Sequence, residues 1–233
     1  CNSVFSSREL RQALAAAARQ ADALPDSGLY RAVSGLIPDG LTVDGINYRD
    51  AAGDVSPAAV DAYALYLEAR QSLSASDLSK VRLLVPSDSA LLAIAEQING
   101  IWQKQFSLFL SVEEVDADTF AKRLAEGDYT LALAPISAES GSVYQTLSQF
   151  TATGGGLCSY TDSLFATQLE ASTHATGTAR CRLLADCERQ LLNDAVVVPL
   201  FAQQKRLLIA DGIQNLIFDP FGPVLDLTYA VKE

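Results

Sequence analysis

The stretch "KVRLLVPSDSALLAIAEQINGIWQKQF", residues 80–106, decides the fold class of this 233-residue chain. It opens with a short apolar run that ends at a proline, which is typical of a buried strand. The remainder places four apolar side chains on one face of a helix: Leu91, Ala95, Ile98 and Trp102. A buried strand followed directly by an amphipathic helix is the first half of a strand–helix–strand unit.

The same alternation continues along the chain. "SLFLSVEEV" (107–115) predicts a second strand, "DADTFAKRLAEG" (116–127) a helix that ends at Gly127, and "YTLALAP" (129–135) a third strand. Strands separated by helices imply right-handed crossovers. We therefore expect an α/β fold with a mostly parallel sheet flanked by helices.

The part before residue 80 has a different character. We predict a helix over residues 6–24, capped by Ser6 or Ser7, and a second helix over residues 56–73, with Ser56 as its cap. Residues 25–57 are rich in glycine and proline and are expected to be irregular. The chain thus divides into a helical and irregular part, residues 1–79, and an α/β part, residues 80–233.

The end of the chain adds further elements. "SYTDSLFATQLEAS" (159–172) and "TARCRLLADCERQLLNDA" (178–195) are expected to be helical. "VVVPLFAQQKRLLIA" (196–210) is expected to supply one strand, or two with a kink at Pro199.

Composition limits the classes of function. With 49% hydrophobic and 19% charged residues, the chain is expected to be globular. The net charge of −11 argues against a nucleic-acid surface, because phosphate binding needs clustered lysine and arginine. No window approaches the roughly 18 apolar residues of a membrane helix, and no signal peptide is recognisable. The absence of methionine suggests a processed or excised piece.

The four cysteines, Cys1, Cys158, Cys181 and Cys187, lack the spacing of metal ligands. Cys181 and Cys187 fall on different faces of a predicted helix and cannot bridge to each other there. Other pairings stay open. We expect most of these residues to be buried thiols.

Motifs for catalysis are absent from the sequence. His174 lies in the small-residue stretch "ASTHATGT" and is expected to face solvent from a loop, without a metal. "TGGGL" (153–157) precedes no Lys-Ser/Thr pair and is expected to be a connector. No G-x-S-x-G elbow occurs. We therefore expect no enzyme, no cofactor and no metal site.

The loop "PISAES" (135–140) follows the third predicted strand. In open α/β sheets, ligands bind at the carboxyl ends of the strands. Glu139 in this loop is therefore a candidate ligand contact, and a solvated loop acid is the alternative. Glu113 and Glu114 lie near the same edge and are expected to be surface charges, with one of them lining the crevice as the alternative.

Several segments, in this order, resemble the extracytoplasmic solute-binding proteins of family 5, the peptide-, dipeptide- and nickel-binding subunits of ABC importers. They are "LRQAL" with Arg19, the run from Leu83 to Leu133, "CSYTDSLFATQL" (158–169), and "CRLLADCERQLLNDAVVVPLFAQQKRLLI" (181–209) with Pro199 and Leu200. Intact members are about twice this length and have two lobes. The resemblance covers only the second lobe.

The resemblance implies a lobe of the periplasmic-binding-protein type II fold. "CNSVF" (1–5) is similar to the crossing from the first lobe, and "FGPVLDLTYAVKE" (221–233) to the return toward it. The implied function is a non-catalytic wall of a hinged cleft that captures a small solute, an oligopeptide above all. The implied partners are the missing lobe and ABC permease subunits. The implied location is extracytoplasmic, with a lipid anchor outside this segment.

The resemblance also implies a binding site. In peptide-binding members, the loop after the third strand reads Gly-Trp-x-x-Asp, and its aspartate meets the ligand's α-ammonium. Here the loop reads "PISAE", with Glu139 at the aspartate position, Ile136 at that of the tryptophan and Pro135 at that of the glycine. The neighbouring segments imply that the pocket is also shaped by Ser137, Tyr144, Cys158, Ser159 and Tyr160.

Two other functions remain open. The same lobe could be fused to a DNA-binding domain and report a solute as a regulatory sensor. Capture of a metal or metal chelate, as in nickel-binding relatives, is disfavoured because His174 lies outside the predicted crevice loops.

Overall fold

A computed structural model describes residues 3–19, 30–137, 141–151, 157–158, 160–204, 207–217 and 225–232. The predicted ligand residues Glu139 and Ser159 lie outside these ranges, as do Cys1 and most of the glycine-rich connector.

The described elements alternate between helices and short strands. A 3-10 helix (Ser3–Ser6) precedes nine α-helices in these ranges: α1 (Arg8–Ala18), α2 (Tyr48–Ala52), α3 (Ala62–Ala69), α4 (Ala75–Leu78), α5 (Ser89–Phe106), α6 (Ala117–Glu126), α7 (Val143–Ser148), α8 (Ser163–His174) and α9 (Gly177–Asn193). The strands are β1 (Tyr30–Ala32), β2 (Thr42–Val43), β3 (Ile46–Asn47), β4 (Arg82–Pro86), β5 (Ser111–Val115), β6 (Leu131–Ala132), β7 (Phe201–Gln203), β8 (Ile213–Gln214) and β9 (Val231–Lys232).

The predicted parallel sheet is confirmed. Its strand order is β5-β4-β6, and central β4 pairs in parallel with both neighbours, with Leu84 opposite Glu113 on one side and Ala132 on the other. Helix α5 begins where the Asp88 carboxylate accepts from two backbone N–H groups, and α6 ends at Gly127, whose φ is 67°. Capping chemistry readable from the sequence therefore sets the crossover boundaries.

Residues 25–57 are more regular than predicted where they are described. They contain β1, the antiparallel pair β2 and β3, and α2. The turn between β2 and β3 is Asp44-Gly45, with φ of 52° and 79°. Asp-Gly is a favoured pair for a two-residue hairpin turn, and this signal was missed among the many glycines.

The predicted start of the second helix is wrong. Helix α3 begins at Ala62, and its cap is Asp61, whose side chain accepts from the N–H of Ala64, rather than Ser56. The N–H of Ala58 instead donates to the Asn193 side chain at 3.3 Å. A contact with a distant helix thus holds this segment out of the helical conformation.

The predicted strand after α9 is confirmed only over β7, which pairs antiparallel with β1. Residues 196–200 are not in a strand. The N–H of Val196 donates to the carbonyl of Leu191 at 3.0 Å and closes the end of α9. Pro199 has no N–H to offer a neighbouring strand.

The apolar interior forms two clusters. The first packs α1, α3 and α5 against the sheet residues Leu83 and Val85. The second surrounds α9 with α2, α7, α8 and residues 37–43. Each cluster draws on both sides of the predicted division at residue 79, and that division stays a prediction.

A buried carboxylate organises the second cluster. Glu188 on α9 is fully buried and accepts from the N–H groups of Leu36 and Ile37, at 2.7 and 3.0 Å, and from the Tyr48 hydroxyl at 2.8 Å. Arg49 completes the set, with Nη2 2.7 Å from Oε1. These donors satisfy a charge that would otherwise be very unfavourable in an apolar interior.

Gly35 is required by the same arrangement. A Cβ at this position would lie 2.7 Å from Nη1 of Arg49, closer than side chains tolerate. The backbone at residue 35 therefore leaves the space that the guanidinium occupies.

We predict that Arg49→Met lowers the free energy of unfolding by about 3–5 kcal/mol, because it leaves the Glu188 carboxylate buried without its cation. Urea unfolding followed by circular dichroism measures the change. The control is Arg31→Met, which breaks the exposed pair with Asp39 and should change stability by about 1 kcal/mol or less. Equal effects of the two substitutions would contradict the structural role of the buried pair.

Candidate functional site

The third strand has the predicted orientation. Since β6 is parallel to β4, the chain leaves β6 at the carboxyl edge of the sheet, and the N–H of Leu133 adds one more bond to Leu84. The loop that follows places Ile136 and Ser137 at the surface. It ends where the Ser142 hydroxyl caps α7.

A cavity of about 1,100 Å³ lies beside β6. Residues 131–134 of the strand and its exit form one side, and residues 196–198 with Tyr160 lie on another. Leu14 and Trp102 contribute apolar surface from the first cluster. The cavity therefore lies between the two clusters and the sheet.

Three of the seven predicted ligand residues line this cavity: Ile136, Cys158 and Tyr160. Ser137 and Tyr144 are not part of its lining; Tyr144 is half-buried and packs against the second cluster. Glu139 and Ser159 lie outside the described residues, so their roles stay predictions.

Tyr160 is held in place by polar side chains, of which Asp162 and Asp194 also line the cavity. Its hydroxyl donates to the Asp194 carboxylate and accepts from the Gln190 side chain at 3.3 Å. Gln190 also donates to Asp162 at 2.6 Å, and Asp162 caps α8. Burial, reinforced by the hydrogen bond to Asp194, raises the pKa of Tyr160, so the hydroxyl stays a donor at neutral pH.

The first turns of α1 contact the end of α9 next to this tyrosine. Arg11 donates to the Asp194 carbonyl at 2.9 Å and to the Phe5 carbonyl at 2.7 Å, while Arg8 lies 2.8 Å from the Asp194 carboxylate. Gln12 donates to the Asn193 carbonyl at 2.6 Å. Burial lowers the pKa of Arg11, and the Asp194 charge opposes this shift.

Sequence reasoning missed this contact between helices. The motif "LRQAL" indicated a resemblance but not a partner. The contact joins donors near the start of α1 to the end of α9, 181 and 183 residues later. A single sequence cannot show such a pairing.

The two glutamates of β5 have protein partners. Glu113 lies 2.6 Å from Arg123, which also contacts Asp128 at 3.2 Å. The hydrogen bond that Arg123 donates to Glu113 is the main cause that raises the pKa of Arg123. Glu114 accepts from the Ser87 hydroxyl. Each carboxylate thus has a described protein partner, and Glu113 also lines the cavity.

The described cysteines are free thiols. Cys181 and Cys187 are fully buried, as predicted, and Cys158 is partly buried. Burial raises the pKa of each of these thiols, that of Cys187 to about 12. They are thus protonated and poorly reactive at neutral pH.

His174 faces solvent, as predicted, but the prediction that it lies in a loop is wrong. The residue ends α8, and its Nε2 lies 3.6 Å from the Glu170 carboxylate one turn earlier. Within the described ranges, no group of three or more histidine, cysteine or acidic residues could hold a metal ion. No helix in the described part of the chain is long and apolar enough to cross a membrane.

Tyr129 closes one side of the cavity, because its hydroxyl donates to the carbonyl of Leu157. Burial raises its pKa to about 12, above the ordinary value of 10. A tyrosine whose folded pKa is raised releases its proton more easily in the unfolded chain. Its contribution to stability is therefore complete below pH 10 and is lost as the pH rises toward 12.

We predict that Tyr129→Phe reduces the loss of stability between pH 9 and pH 12, because the variant has no buried phenol to ionise. Urea unfolding at a series of pH values measures this slope. Tyr63→Phe is the matched control, since the Tyr63 side chain is largely exposed. An alkaline slope that is the same in wild type and Tyr129→Phe would contradict the burial of this phenol.

The fold and the cavity define a class of protein. The chain has the architecture of a periplasmic-binding-protein type II lobe, with a parallel sheet flanked by helices and a ligand-sized cavity beside its edge strand. The predicted resemblance to family 5 solute-binding proteins is confirmed at the level of the fold.

Peptide-binding proteins are among the solved structures that share this fold. The pheromone receptor PrgZ is 20% identical with a TM-score of 0.75, and the match covers 100% of this chain and 46% of that one. The substrate-binding domain of an oligopeptide ABC transporter from Bacillus anthracis is 17% identical with a TM-score of 0.73, covering 97% and 46%. A peptide-binding protein of a peptide ABC transporter is 20% identical with a TM-score of 0.70. That match covers 85% of this chain and 92% of the other.

These matches show the fold. This chain spans about half the length of the first two structures. No protein-family model matches the sequence, and no curated protein sequence is similar to it.

Proposed function

We propose that this chain is the second lobe of a solute-binding subunit of an ABC importer, and that the solute is a peptide. One observation carries this proposal: the whole chain matches the fold of PrgZ, a pheromone receptor that binds peptide. The B. anthracis structure, a substrate-binding domain of an oligopeptide transporter, supports the same class.

The cavity beside β6 supports a binding role. It is lined by the apolar residues 131–134 and 196–198, by Tyr160, and by charged side chains that include Arg11, Asp162 and Asp194. Sites for small ligands commonly combine apolar walls with a few placed polar groups. The lobe would form one wall of a cleft, and hinge closure against a second lobe would supply the other contacts and exclude water.

Glu139 is proposed to bind the ligand's ammonium group. A cation that leaves water for a closed cleft needs a hydrogen-bonding anion to offset its desolvation. The loop that carries Glu139 leaves β6 at the carboxyl edge of the sheet. Ile136, in the same loop, lines the cavity. Ser137, Tyr144 and Ser159 are proposed to complete the pocket with Cys158 and Tyr160.

The remaining parts of the proposal concern the intact protein. It binds rather than catalyses, works with ABC permease subunits, and acts outside the cytoplasm, held by a lipid anchor beyond this segment. The single lobe binds its peptide weakly, because half of the contacts come from the missing lobe.

We predict that Glu139→Gln in the intact parent weakens peptide binding by roughly 10- to 100-fold, the effect of removing one charge-assisted hydrogen bond. Calorimetry with a peptide library measures the affinity. Glu96→Gln is the control, because it makes the same change in net charge at an exposed position on α5.

The two parts of the proposal fail in different ways. Unchanged affinity in Glu139→Gln would remove Glu139 from the site and leave the peptide-binding role intact. A folded wild-type parent that binds no peptide in the library would contradict the peptide ligand itself.

A further inference from the structure

A second cavity, of about 840 Å³, lies next to α1. It is bounded by α1, by residues 56–60 before α3, by the first half of α5 and by the start of β7. None of the five described candidate peptide contacts is in its lining. A few residues contribute to both cavities and lie between them: Ala15, Ala18, Ile98, Ala195 and Leu200.

The charges around this cavity are of one sign. Among the described residues that line it, the ionisable side chains are Arg8 and Arg19, and none is a carboxylate. This is unusual in a chain with 28 acidic and 17 basic residues. Arg8 is neutralised by Asp194 at 2.8 Å, so it contributes little net charge.

Among the described residues, Arg19 has no such partner. Its Nη2 is buried, and no hydrogen-bond acceptor of the structure reaches it. Burial is the cause that lowers the pKa of this guanidinium, and no nearby acid is found to raise it again. A buried guanidinium nitrogen without an acceptor is unfavourable, and an anion that enters the cavity would relieve it.

We propose that this second cavity binds a small carboxylate with an apolar body, and that Arg19 pairs with its carboxylate. One uncompensated positive charge selects a monoanion, and the guanidinium fork matches the two oxygens of a carboxylate. Apolar residues around the cavity provide a surface for the rest of the ligand: Val60, Ile94, Leu200 and Phe201. The volume lies in the range of about 300–1,000 Å³ that is usual for small-molecule sites.

This site goes beyond the proposed peptide-binding role and does not depend on it. It would give the lobe a second ligand, a free amphiphilic acid or the carboxyl end of a peptide, bound next to α1 rather than beside β6.

The test is calorimetric titration of the 233-residue chain with sodium octanoate, and separately with acetyl-Leu-Leu and its carboxyl-terminal amide. We expect octanoate to bind, and Arg19→Gln to weaken binding at least tenfold. Arg182→Gln, at an exposed position on α9, makes the same change in net charge and should leave affinity unchanged. Ala59→Phe, which fills the cavity without altering a charge, should also weaken binding.

The peptide arms separate the two sources of the carboxylate. Binding of octanoate identifies free amphiphilic acids as ligands. Binding of acetyl-Leu-Leu alone, with loss of binding in the amide, identifies a peptide carboxyl end. Binding of neither probe to the folded wild-type chain at millimolar concentration overturns the proposal, as does equal affinity in wild type and Arg19→Gln.

A stability measurement keeps the test informative even if the variant binds nothing. Because Arg19 is unpartnered in the ligand-free chain, Arg19→Gln should raise the melting temperature by about 2 °C or more without ligand. A variant that melts lower than wild type would show that Arg19 already has a protein partner, and would overturn the proposal.

Discussion

The carboxyl end of α9 is the junction on which the arrangement of this lobe depends. The last carbonyls of a helix have no partner within the helix, and they carry the negative end of its dipole. Here Arg11 and Gln12 of α1 donate to the carbonyls of Asp194 and Asn193, and Arg8 pairs with the Asp194 carboxylate. These bonds fix the helix of the first apolar cluster against the helix of the second. Both cavities border this junction, so their shapes depend on it.

The sheet and its crossovers were predictable because their signals are local. Asp88 and Gly127 mark the ends of α5 and α6 in the sequence, and the apolar face of α5 is buried as predicted at Ala95, Ile98 and Trp102. The start of α3 was not predictable, because the Asn193 side chain, distant in the sequence, binds the residues before it. The region 196–200 has strong strand propensity, yet the bond from Val196 to Leu191 closes α9 instead.

The candidate site was predictable only in part. The resemblance placed Ile136, Cys158 and Tyr160 together, and the structure brings them to one cavity. It did not reveal what holds Tyr160, because Asp194 and Gln190 lie 34 and 30 residues away and the sequence does not show which residues of two segments meet. The significance of Arg19 was equally invisible, since a missing partner is a property of three-dimensional packing.

The open side of β6 has a consequence for how the chain behaves at high concentration. In the described residues this strand pairs only with β4, so its outer edge faces the larger cavity with backbone groups available. Such edges can recruit strands from other molecules and begin aggregation. Here the strand is two residues long and Pro135 follows it closely, and both features discourage intermolecular pairing.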